Sequence, residues 1–115
     1  MSRVRAGEGA EEAEEGIFKA LADGRRRRML DLLKSEPLTT GDLCAAFPQL
    51  DRCTVMQHLG VLEKAGLIIV KREGRNRWNY LNPLPIKAIH DRWISPHARH
   101  AVVVLARMKS DMELV

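Results

Sequence analysis

The stretch DRCTVMQHLGVLEKAGL at 51–67 constrains this chain more than any other. Val55, Leu59 and Leu62 recur at i, i+4 and i+7, which lines up a single apolar stripe along a helix. Asp51 stands where an N-cap belongs, and Gly66 stands where a left-handed residue ends a helix. The opposite face carries Cys53, Met56, Gln57, Gly60 and Lys64, none of which builds a core. The run IIVKREGRNRWNYL follows at once. Its two strand-like segments flank Glu73-Gly74-Arg75-Asn76, so it reads as a hairpin with a basic tip. A helix with a polar outer face therefore leads straight into a basic hairpin.

With 115 residues the chain is read as one domain, able to build a modest core without metals or disulfides. Its apolar runs, Ile68–Val70 and Val102–Leu105, fall far short of a membrane span. The first residues, MSRVRAGEGAEEAEEG, contain no apolar segment of the kind a secretory signal needs. Two cysteines make no disulfide framework, which points to reduced thiols and a cytoplasmic setting. Charge is unevenly spread: residues 1–16 hold five acidic and two basic side chains, residues 17–115 ten acidic and seventeen basic. A basic body favours a polyanionic partner, nucleic acid before an anionic membrane.

Taken in order, residues 1–9 read as a flexible acidic leader, with a helix from about Ala10 that presents Ile17, Phe18 and Leu21. Asp23 is the expected cap of a second helix, RRRRMLDLLKS. Arg25 to Arg28 crowd its first turn, where a helix dipole disfavours cations. We expect them to be solvated or paired with leader carboxylates, with phosphate contact by one or two as the alternative. Leu38 can begin a very short strand, and Thr39 or Thr40 then caps a third helix with Asp42 in its first turn. Leu43 and Phe47 give this helix its core side, and the short link Pro48-Gln49-Leu50 forces a steep crossing onto the next. That link has no glycine, which is unusual for such a turn. After the hairpin, Asn82-Pro83-Leu84-Pro85 breaks the strand and opens a helix with Ile86, Ile89 and Trp93 on one side. Ser95-Pro96 restarts it, and Ala101, Leu105, Met108 and Met112 give the last helix an apolar face too large for the core of so small a domain. The expected fold is mainly α with a small β-hairpin, a winged helix-turn-helix dimerising through its N- and C-terminal helices. Its expected parts are a leader at 1–9, a DNA-binding domain at 10–95 and a dimerisation helix at 96–115.

Three segments together, ALADGRRRRMLDLLKSEPLTTGDLCAAF, TVMQHLGVLEKAGLI and REGRNRWNYLNPLPI, resemble the ArsR family of bacterial winged-helix repressors over roughly residues 14–95. The resemblance implies a homodimer that binds double-stranded operator DNA of two-fold symmetry, with no cofactor and no membrane partner. It makes 52–65 the recognition helix and places Arg52, Thr54 and Gln57 at positions facing the major groove. The chemistry suits that role, since arginine binds guanine in bidentate fashion and glutamine pairs with adenine, while Met56 can meet a thymine methyl. The plainer alternatives are a first-turn threonine and a surface arginine. His58 belongs to the family's His-Leu pair and is read as packed or phosphate-contacting rather than metal-binding. Thr39 and Thr40 are candidates to seat a phosphate at the third helix's N-terminus, and Arg75 and Arg77 to hold the minor groove or backbone from the wing.

Sensing is the second reading. Many members of the family bind metal ions through a Cys-x-Cys pair, but here Leu43-Cys44-Ala45-Ala46 has one cysteine. A second family pattern, Asp-x-His followed by His-x-x-His or Glu, is represented only by His90-Asp91, His97 and His100. A transition-metal site from these four is an alternative, as is oxidation of Cys53 beside Arg52 in the first turn of the recognition helix. A third reading, a winged-helix module that binds protein, fits poorly with Arg75, Arg77 and Gln57 on the docking face. No glycine-rich phosphate loop, nucleophile elbow or paired-carboxylate site argues for an enzyme.

Overall fold

Asp51 and Gly66 bound the central helix as their chemistry requires. In the computed structural model, which describes residues 6–94 and 99–113, helix α4 spans Arg52–Lys64. The Thr54 amide donates to Asp51 Oδ1 at 2.7 Å. At the other end Gly66 has φ 77°, and the Leu67 and Gly66 amides donate to Leu62 O and Glu63 O, both at 2.9 Å. These paired bonds form a Schellman cap, open to glycine because it carries no Cβ. Val55, Leu59 and Leu62 are fully buried, as the stripe requires.

Around α4 the chain runs α1 (Ala6–Leu21), α2 (Gly24–Leu33), β1 (Leu38–Thr39), α3 (Thr40–Ala46), β2 (Ile68–Glu73) and β3 (Asn76–Leu81). Helix α5 (Leu84–Trp93) and helix α6 (Arg99–Glu113) follow. Helix α1 begins at Ala6 rather than near Ala10, so Gly7 and Gly9 are helical. Glutamates in its first turns favour that extension, because they complement the positive end of the helix dipole. Residues 1–5 lie outside the described part.

The arginines of α2 find partners other than the leader carboxylates expected. Arg26 donates through Nε to Ala20 O at 2.8 Å and through Nη2 to Lys19 O at 3.0 Å. Arg27 Nη1 donates to Leu21 O at 2.6 Å. These are the last carbonyls of α1, which lack the i+4 amides of a continuing helix and mark its negative end. Arg25 pairs with the α2 cap Asp23 at 3.0 Å, and Arg28 lies 5.8 Å from the centre of the Phe47 ring. Cations that fit poorly with their own helix thus cap the preceding one.

Sheet order is β1-β3-β2, antiparallel throughout, with Ile68 opposite Leu81 and Glu73 opposite Asn76. Gly74 and Arg75 form a two-residue turn in which Gly74 alone has positive φ (61°), the type II′ arrangement that suits strand twist. The α3–α4 link, residues 47–51, contains no positive φ. Backbone bonds from Phe47 to Cys44 and from Leu50 to Phe47 carry that turn, which explains why it needs no glycine. Ile17, Ala20, Met29, Leu33, Leu43, Phe47, Leu67 and Ile68 complete the core with the α4 stripe.

The chain divides into two compact units, Met1–Pro83 and Leu84–Val115. In the second unit, α5 buries no residue, and every described side chain of α6 from His100 to Glu113 is exposed. The expected restart at Ser95-Pro96 and the candidate ligand His97 lie outside the described residues. No helix among those described is long and apolar enough to cross a membrane.

Candidate nucleic-acid interface

The outer face of α4 and the hairpin meet in a groove of about 420 Å³, lined by Arg52, Met56, Arg72, Gly74, Arg75, Asn76 and Arg77. Four arginines and no carboxylate line it, which makes it a surface for an anion. Arg52 and Met56 are one helical turn apart, so both reach the groove from α4. Gln57 is exposed beside them, and Thr54 is half-buried one turn above the cap. Arg75 sits at the exposed tip of the hairpin.

The remaining sequence candidates have other partners. Thr40 is buried, 2% exposed, and its Oγ1 accepts from Asn79 Nδ2 at 3.2 Å, so its side chain is closed to a phosphate. Thr39 caps α3: its Oγ1 accepts from the Asp42 amide at 3.0 Å, and the Thr39 amide donates back to Asp42 Oδ2 at 3.0 Å. This capping box occupies the Thr39 and Asp42 amides and sets a carboxylate at the start of α3. Arg77 turns inward, its Nη2 donating to Glu63 Oε1 at 3.2 Å. Arg72, Glu63 and Asn79 escaped the sequence reading. The signal for Arg72 was available in strand alternation, which puts Ile68, Val70 and Arg72 on one face.

His58 is packed. It is 7% exposed, Arg26 Nη1 donates to its Nδ1 across 3.2 Å, and its buried Nε2 meets no hydrogen-bond partner among the described residues. Because a guanidinium only donates, Nδ1 accepts and the imidazole is neutral. Burial lowers the His58 pKa, Asp23 raises it, and Arg25 and Arg26 add to the lowering. The unfolded chain therefore takes up this proton first as pH falls below the ordinary value of 6.5. His58 thus favours the folded state above pH 6.5, and that contribution is lost as pH drops through its lower folded value. We expect the thermal midpoint to fall between pH 7 and pH 5 and the fall to shrink in His58→Leu. Equal slopes in melts of the two proteins would contradict this.

Among the described residues, no group of three or more His, Cys, Asp or Glu side chains is placed to hold a metal ion. Asp91 accepts from Lys87 at 2.9 Å and lies 3.4 Å from His90 Nδ1. Cys53 is exposed in the first turn of α4, and Cys44 is half-buried in α3.

Comparison with known proteins agrees with this architecture. Residues 21–71 match a helix-turn-helix domain family. The transcriptional repressor SdpR of Bacillus subtilis is 36% identical over 66 residues, covering 57% of this chain and 72% of that protein. The uncharacterised HTH-type transcriptional regulator YuzN, also of Bacillus subtilis, is 37% identical over 86 residues, covering 70% and 94% of the two chains. A crystal structure of an ArsR family transcriptional regulator matches with a TM-score of 0.66 at 28% identity, over 98% of this chain and 97% of that one. The α3–α4 pair, the arginine-lined groove and these relatives lead to one assignment: the chain belongs to the ArsR family of winged helix-turn-helix, DNA-binding transcriptional regulators.

Proposed function

We propose that the protein is a homodimeric repressor that binds a two-fold symmetric operator. Helix α4 enters the major groove with Arg52, Thr54 and Gln57 toward the base edges, and Arg75 holds the backbone or minor groove from the hairpin. The observation that carries this reading is the groove between α4 and the hairpin, where Arg52, Arg72 and Arg75 stand with no carboxylate among the lining residues. Phosphate neutralisation of this kind supplies most of the affinity for a duplex, while side chains at base edges supply selectivity.

Helix α6 supports the dimer. It exposes Val102, Val103, Val104, Leu105, Met108 and Met112, and Leu105 is 61% exposed. A helix of 15 residues is marginal in water without packing, so this face calls for a partner surface. A second copy supplies one by symmetry and doubles the reading helix at the same time. Repression is also the role named for the relative SdpR, a transcriptional repressor.

Selection from a pool of random duplexes tests the reading. The expected product is an inverted repeat whose half-sites are centred about 10 base pairs apart, or a multiple of that. Enrichment of a single unrepeated site would contradict the dimer, and absence of any enrichment would contradict sequence-specific binding.

A further inference from the structure

Strand β3 sends two polar side chains toward the helices, Arg77 and Asn79, one pleat apart on the same face. Asn79 is fully buried, and its Nδ2 donates to Leu38 O and Thr40 Oγ1, both at 3.2 Å. That ties the hairpin to the start of α3. Arg77 ties it to the C-terminal end of α4 through the 3.2 Å bond to Glu63. The Arg77 side chain is only 23% exposed, and its Nε is buried without a hydrogen-bond partner among the described residues.

Charge makes the Glu63 contact more than a surface pair. Arg72 lies directly opposite Arg77 across the ladder, and like charges in that position repel. Glu63 is the carboxylate that meets Arg77. Without it, a largely buried guanidinium would face another cation and lose its charged hydrogen bond. We propose that Glu63 and Arg77 form a latch fixing the hairpin against the DNA-reading helix, so that Arg77 is a positioning residue for DNA binding and not a phosphate contact. The latch sets the width of the groove in which Arg52 and Arg75 face each other's side of the duplex. It rests on the DNA-binding reading above.

The two roles for Arg77 predict opposite signs for one substitution. Glu63→Gln removes a negative charge near the duplex, so if Arg77 contacts phosphate, freeing it should tighten binding. If the latch positions the wing, Glu63→Gln should weaken binding about fivefold, the upper end of the loss expected for a partly exposed ion pair. The 115-residue chain is titrated with one selected duplex at several salt concentrations, as wild type, Glu63→Gln, Arg77→Gln and the charge-swapped double variant Glu63→Arg/Arg77→Glu. We expect both single variants to weaken binding, Arg77→Gln to leave the slope of log K against log salt unchanged, and the swap to recover most of the affinity. Unchanged or tighter binding by Glu63→Gln, or a slope reduced by about 0.9 in Arg77→Gln, would overturn the latch. Glu63 is 45% exposed, so its Gln variant carries the test even if Arg77→Gln folds poorly. If wild type binds no duplex, the DNA-binding reading fails, and amide exchange then decides the latch. Faster exchange confined to β2 and β3 in Glu63→Gln would support it, and unchanged exchange would overturn it.

Discussion

Replacing Arg52 by Ala is expected to weaken binding to the selected operator by about tenfold to a hundredfold, the scale of a lost bidentate contact to a base. Arg52 is the first residue of α4 and lines the arginine groove, so its guanidinium leads the helix toward the duplex. In a dimer the loss occurs once per half-site. The variant should also lose preference at one base pair in each half-site. Gln57→Ala, one turn and a half along the same exposed face, should relax a different position. Arg75→Ala offers the contrast: a phosphate contact at the hairpin tip should weaken selected and random duplexes by the same factor. Competition titrations with selected and scrambled duplexes separate these outcomes. Equal weakening of both duplexes by Arg52→Ala would show that Arg52 positions the helix without reading a base.

The second large effect is on stability. Leu59→Ala should lower the unfolding free energy by about 2–5 kcal/mol, as expected for truncating a fully buried leucine and leaving a cavity. Such a loss is a large share of the roughly 5–15 kcal/mol that holds a domain together, and lowers its midpoint by on the order of 15 °C. Leu59 lies between Val55 and Leu62 in the stripe that seats α4 on the core. Val61→Ala, on the same helix but at a 40% exposed position, should change stability by less than about 1 kcal/mol. Urea unfolding of both variants checks the pair, and similar losses would contradict the orientation of α4.

Local chemistry made α4 legible in the sequence. A cap, an apolar stripe and a glycine stop are all encoded within 51–67, and the hairpin turn is written in Glu73-Gly74-Arg75-Asn76. Partners that are distant in sequence were not legible. Arg26 reaches back to the last turn of α1 and across 32 residues to His58, so its position in the first turn of α2 said only that it was misplaced there. Thr39 and Thr40 look interchangeable as caps, yet one step of the chain turns the first toward the helix end and the second into the core, against Asn79. Arg77 resembled Arg75 as a basic wing residue. Strand phase separates them, because Arg77 shares a face with the buried Asn79, whereas Arg75 belongs to the turn. Gly7 and Gly9 suggested a flexible leader, and the run of glutamates that follows outweighed them in α1.

If an arginine groove between α4 and the hairpin neutralises the backbone of a duplex, binding must depend steeply on salt. A fluorescent operator duplex is titrated with the wild-type chain between roughly 50 and 300 mM salt, where counterion release governs the affinity. Two protomers that each neutralise at least two phosphates predict a linear fall of log K against log salt with a slope of about −3 or steeper. A slope near zero, or no binding to any duplex at the lowest salt, would contradict it.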